Sequence, residues 1–182
     1  MAPRISRQKI ESGRPATAGS LEEAGRPFAI AGSRADVQSR TCRLLGGRSV
    51  VGAADPADPF SAHMIIVGGL PNKAVNHLNS NLTVMGREAF EQAIGVTSRT
   101  LQRWEKQPAQ KLSQEQGGRV WKFAELLTRA TAVLGSQPEA EKWFERPAIG
   151  LNQQRPIDLL STPAGVELVE DYLGRLAHGV YT

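Results

Sequence analysis

At 182 residues the chain can bury the core of one good-sized domain, or of two small ones with a tail, and its net charge of +4 favours nucleic acid or an acidic partner without selecting either. One cysteine, Cys42, excludes an internal disulfide framework, and three scattered histidines, His63, His77 and His178, offer no metal-ligand spacing. The longest apolar run, MIIVGGL, is too short to span a bilayer, so the expectation is a cytoplasmic protein with no membrane role, no metal and no cofactor.

Residues 1–62 are rich in glycine, proline, alanine and arginine, carry only two aromatics, Phe28 and Phe60, and show no sustained period of 2 or 3.6. Such a stretch does not easily repay its ordering entropy, so it reads as a disordered leader with at most short structure around RTCRLLGGRSVVG. On that reading the leader is dispensable, and a protein beginning near Met64 should keep its fold and its binding.

From Gly69 onward apolar residues recur at helical spacing between turn signals, which makes the fold class all-α. Helices are expected at about 71–80, 86–94, 98–106, 113–134, 137–145 and 163–177, with a brief turn at 156–161. The start of the fourth is open: Ser113 and Gln116 have capping-box spacing, whereas the Gly117–Gly118 pair costs about 1 kcal/mol per residue in a helix interior and favours a start near Arg119. Domain limits are expected at 63–118 and 119–182.

The segment AFEQAIGVTSRTLQRWE has the order of a helix-turn-helix. Phe90 and Ile94 share a face, Gly95 suits a left-handed stop, Val96 can tuck between the helices and Thr97 can cap the second. On that second helix Leu101 and Trp104 point inward, leaving Arg99, Gln102, Arg103 and Lys106 on the opposite face. Arginine pairs bidentately with guanine and glutamine with adenine, while lysine and the helix N-terminus suit phosphates. The expected DNA-binding residues are therefore Thr97, Ser98, Arg99, Thr100, Gln102, Arg103 and Lys106. The pattern resembles the helix-turn-helix of phage repressor-like (Xre) proteins, with Glu91 standing where that family usually has a small alanine.

Farther on, WKFAELLTRATAVLG and PEAEKWFERP supply helical core residues, among them Phe123, Leu126, Leu127, Ala130, Leu134, Trp143 and Phe144. Pro156 and Pro163 sit at first-turn positions, and Thr162 is an N-cap. Val166, Val169, Leu173 and Leu176 form an apolar stripe on the last helix, and Gly179 can end it in the left-handed conformation. An internal glycine, Gly174, is easiest to understand if another backbone approaches there, and a tail ending in Val180 and Tyr181 suits a partner pocket better than a monomeric core.

The closing run RPIDLLSTPAG followed by VEDYLGRLAHGVY resembles the toxin-binding domain of the MbcA/ParS/Xre antitoxins, the partners of RES-domain toxins. The GLP at Gly69, SRTLQR and the spacing of Ala140 to Trp143 extend the resemblance over about residues 69–182. It implies a type II antitoxin whose C-terminal domain occludes the active site where a RES toxin takes NAD, and whose helix-turn-helix represses its own operon at promoter DNA. It also implies a homodimer within a larger toxin-antitoxin complex, with NAD as the toxin's substrate and no enzymatic activity in this chain. The expected toxin-binding residues are Arg155, Leu173, Gly174, Arg175, His178, Gly179, Val180 and Tyr181. The residues agree that catalysis has nothing to rest on, since no nucleophile and base share a motif and no G-x-x-x-x-G-K loop occurs. Two other readings remain open: a stand-alone regulator with a C-terminal dimerisation or ligand-sensing domain, and an adaptor that uses the same helices without touching DNA.

Overall fold

A computed structural model describes residues 33–52 and 58–179. Ten α-helices follow one another: α1 (Arg34–Leu44), α2 (Arg48–Val51), α3 (Pro59–Gly68), α4 (Asn72–Asn81), α5 (Arg87–Ile94), α6 (Ser98–Lys106), α7 (Gln114–Leu134), α8 (Gln137–Phe144), α9 (Pro156–Leu159) and α10 (Pro163–Ala177). A single 3-10 turn spans Ile149–Leu151, and no strand occurs among the described residues beyond two isolated bridges. The all-α class expected from the sequence is the observed one. No described helix is long and apolar enough to cross a membrane.

Local chemistry sets the helix ends. The hydroxyls of Thr97, Ser113, Ser136 and Thr162 each accept from a backbone N–H in the first turn of the following helix, satisfying a donor that has no partner within it. At α7 the full capping box of Ser113 and Gln116 starts the helix ahead of the double glycine. Within that pair Gly117 is buried against Leu70, which a β-carbon there would meet at ordinary contact distance, 3.5 Å. The later start near Arg119 is thus excluded.

The stretch before residue 62 departs from the expected leader. Ser33 and Asp36 form a capping box, and α1 buries Val37, Gln38, Thr41 and Cys42 on its inward side, followed by Leu45. Hydropathy misses this face because half of it is polar by type. Thr41 hides its hydroxyl by donating to the Val37 carbonyl at 2.8 Å and meets Thr128 of α7 at 3.3 Å. Burial pushes the Cys42 thiol above its ordinary range, with Arg48 partly opposing, so this cysteine is a small core hydrophobe. For residues 33–52 and 58–62, the latter at the start of α3, the leader reading is corrected; residues 1–32 and 53–57 lie outside the described residues.

α7 is the axle of the molecule, packing against α1, α3, α5, α8 and α10. Phe123 sits at its centre, 5.9 Å from Phe90 of α5 and 5.6 Å from Phe144 of α8, ring centre to ring centre. All three rings are fully buried, so the helix-turn-helix side and the C-terminal side share one core. The boundary expected between residues 118 and 119 falls inside this continuous helix.

Candidate nucleic-acid interface and partner face

α5, the turn and α6 have the geometry the sequence called for. Gly95 adopts φ 67°, a left-handed stop, and Val96 is half-buried behind it. Thr97 caps α6 through the Thr100 N–H at 3.3 Å, and the two hydroxyls lie 3.1 Å apart. Leu101 and Trp104 are buried, whereas Arg99, Gln102, Arg103 and Lys106 are exposed together and line one surface groove with Thr100. Neither Arg99 nor Arg103 holds a carboxylate among the described residues.

Ser98 is different from its neighbours: its hydroxyl donates to Glu91 in a short hydrogen bond, leaving its backbone N–H as the group available at the helix start. Glu91 is 7% exposed, and it also accepts from Arg87 Nε at 3.1 Å. Arg87 in turn reaches Glu105 of α6 at 3.0 Å. This ladder satisfies the buried Glu91 carboxylate and ties α5 to α6.

The C-terminal residues divide. Arg155 grips Asp158 through Nε at 2.8 Å and Nη2 at 2.7 Å, and Asp158 also accepts from Gln92 of α5 at 2.7 Å. The bond from Arg155 holds the Asp158 carboxyl below the usual carboxylate range. Leu173 is 2% exposed and packs in the core, which corrects its placement on an accessible toxin-facing surface. It lies one turn after Val169, which is also buried, on the inward side of α10.

Gly174, Arg175, His178 and Gly179 are exposed, as expected of a partner face. A β-carbon at Gly174 would meet nothing within 4 Å, so its bare backbone is open to an incoming chain. His178 sits 2.7 Å by Nδ1 from the Gly174 carbonyl, and Gly179 takes φ 69°, the left-handed stop expected of it. Val180 and Tyr181 lie outside the described residues.

Three residues extend this face that the sequence reading did not single out. Arg175 lies 5.6 Å from the ring centre of Tyr172, whose other neighbour is Trp143, stacked at 6.2 Å. Leu168, one turn before Tyr172, is 54% exposed, and Ile149 is 79% exposed on the 3-10 turn. Gly150 beside it lies against the Tyr172 ring, which a β-carbon there would strike. An isolated exposed apolar residue carries no signal in sequence; only the fold brings these together. Among the described residues no group of three His, Cys, Asp or Glu stands ready to hold a metal.

Two protein families match the chain. Residues 61–125 match the Antitoxin Xre-like helix-turn-helix domain, and residues 129–179 match the Antitoxin Xre/MbcA/ParS C-terminal toxin-binding domain. Among individual relatives, a protein named Antitoxin Xre from Yersinia enterocolitica serotype O:8 / biotype 1B is 32% identical over 91 residues, which is 50% of this chain and 61% of that protein. The chain thus spans less than two thirds of that relative's length. Another Antitoxin Xre, from Photorhabdus laumondii subsp. laumondii, is 26% identical over 117 residues, covering 64% of this chain and 78% of the relative.

Proposed function

We propose that the chain is an antitoxin of the Xre/MbcA/ParS type, which binds and neutralises a RES-domain, NAD-consuming toxin through its C-terminal face and represses its own operon through α6; the two domain matches and the two relatives support this reading. The observation that carries this reading is the presence of two exposed, chemically distinct faces on one core. One is the basic and amide stripe of Arg99, Gln102, Arg103 and Lys106, unpaired among the described residues. The other is the apolar and cationic end of α10 with its open glycine. The first suits a DNA groove, and the second suits a protein pocket that excludes water. Paired half-sites on DNA call for a homodimer, with centres about one helical turn, roughly 34 Å, apart.

Replacing Arg103 by Ala is expected to cost about 1–3 kcal/mol of operator affinity if the guanidinium contacts a base. A phosphate contact would instead lower the salt slope by about one. Gel shifts at several salt concentrations read both quantities, and a variant unchanged in both removes Arg103 from the interface.

The toxin arm is tested by co-expressing the chain with a RES-domain toxin. Deleting residues 179–182 should leave operator binding intact while cellular NAD falls, with Tyr181→Ala giving part of the loss. Full protection by the truncated protein would take the tail out of the toxin contact. Protection absent even from the intact chain, with operator binding retained, would leave a stand-alone regulator.

A further inference from the structure

α3 reads PFSAHMIIVG and holds no lysine, arginine, aspartate or glutamate. A helix of that composition normally sinks into a core. Here Ile65 is buried, whereas Phe60, Met64 and Val67 are 64%, 54% and 49% exposed. Positions 60, 64 and 67 fall at i, i+4 and i+7, so the three side chains make one apolar stripe on the side away from Ile65. A lone exposed apolar residue needs no explanation, but a helix face of them marks a contact surface.

The two ends of that stripe carry opposite charges. Asp58 caps α3, its carboxylate accepting from the Phe60 N–H at 3.1 Å, and it is exposed with no cation beside it among the described residues. At the other end the exposed Lys111 donates from Nζ to the Gly68 carbonyl at 2.7 Å and holds no carboxylate among the described residues. Asp58, Phe60, Met64, Gly68 and Lys111 line one groove of about 610 Å³. From Asp58 to Gly68 the helix rises about 15 Å.

This surface complements itself. With a second copy laid antiparallel along α3, Phe60 of each faces Val67 and Gly68 of the other, and Met64 faces Met64. A β-carbon at Gly68 would meet nothing within 4 Å, so that end has room for the incoming ring. The same arrangement sets each Asp58 beside the other copy's Lys111 and leaves no lysine, arginine or carboxylate over the apolar centre. DNA would find no cation on α3, and a partner of one charge would leave one end of the stripe unmatched. We infer that two copies of the chain pair through α3, about a two-fold axis that passes beside Met64. The inference rests on the homodimer of the reading above and adds the surface that forms it.

The test is sedimentation velocity of the full chain over a range of concentrations, beside the variants M64E and M64K. Each variant alone sets like charges across the axis and should raise the dimer Kd by about tenfold or more, while its circular dichroism stays that of the wild type. Mixed in equal amounts, the two should recover the dimer, because glutamate then faces lysine. K111E, which sets an acid against Asp58, should weaken the dimer as well. A wild-type dimer that M64E and M64K both leave intact would overturn the α3 contact while the homodimer stands. Variants that dissociate alone and stay apart when mixed would overturn the two-fold register at Met64. A wild type that is monomeric at every concentration, with or without a fragment of its promoter, would remove the homodimer and this contact with it. If M64E keeps the dimer but no longer protects cellular NAD from a RES-domain toxin, the face belongs to the toxin and the pairing is wrong. Dimerisation gained only on deleting residues 1–32 would give the face to that segment instead.

Discussion

Cutting the protein back to begin at Asp58, so that α3 keeps its cap, is expected to abolish cooperative unfolding. The cut removes Val37, Cys42, Leu45 and Val51, all at or below 8% exposure, and uncovers the face of α7 on which α1 lies. Burying one such side chain is worth about 1.5–3 kcal/mol, so the loss is of order 5 kcal/mol or more even before Thr128 loses its partner Thr41. A domain of ordinary stability has roughly 5–15 kcal/mol in total. The truncated protein should therefore be molten or aggregated, with no sharp urea transition by circular dichroism. Leu45→Ala in the full chain is the milder form of the test and should cost about 2–5 kcal/mol. A truncated protein that unfolds as sharply as the full chain, at the same denaturant midpoint, would show that α1 and α2 rest on a body already complete without them.

The same residues show where sequence reading succeeds and where it stops. Limits were legible wherever a cap, a periodic apolar face and a stop coincide locally. Thr97, the Leu101–Trp104 pair and the polar outer face fix α6 at Ser98–Lys106, and Thr162, Pro163 and Gly179 bracket α10. α1 was not legible because Thr41, Gln38 and Cys42 do core work with side chains that patterning counts as polar or neutral. Leu173 was legible as apolar but not as inward, since one helix stripe serves packing or a partner equally well until its neighbours are placed. The ladder from Ser98 through Glu91 and Arg87 to Glu105 crosses the turn, and its members are ordinary surface types by composition. The basic stripe of α6 could be found from spacing alone because a solvent-facing helix surface needs nothing else from the fold.

The least legible residue is also the one whose loss should reach farthest. Glu141 lies in PEAEKWF between core positions, and nothing local marks it. In the fold it is fully buried, and its carboxylate accepts from the backbone N–H groups of Thr83, Val84 and Met85 at 2.9, 2.5 and 2.8 Å. Gln137 adds a fourth donor at 2.7 Å. α8 thereby fixes the loop that leads from α4 into α5, so the C-terminal half positions the helix-turn-helix by hydrogen bonding as well as through the aromatic core. Glu141→Ala removes a charged acceptor and leaves the buried Met85 N–H without its partner, at a cost of about 1–3 kcal/mol for that group alone. Thr83 and Val84 are exposed and can turn to water, which keeps the expected total near 2–4 kcal/mol. For a protein of this length that corresponds to a fall of roughly 5–15 °C in Tm. Glu141→Gln keeps one acceptor oxygen but turns an amide NH2 toward the same donors, so it should recover only part of the loss. Amide hydrogen exchange separates this role from plain core packing. Met85 should lose protection in Glu141→Ala while Leu101 and Phe123 keep theirs, and operator binding should weaken as the start of α5 loosens. Equal protection at Met85 in the variant and the wild type would mean that the loop holds its shape without the carboxylate.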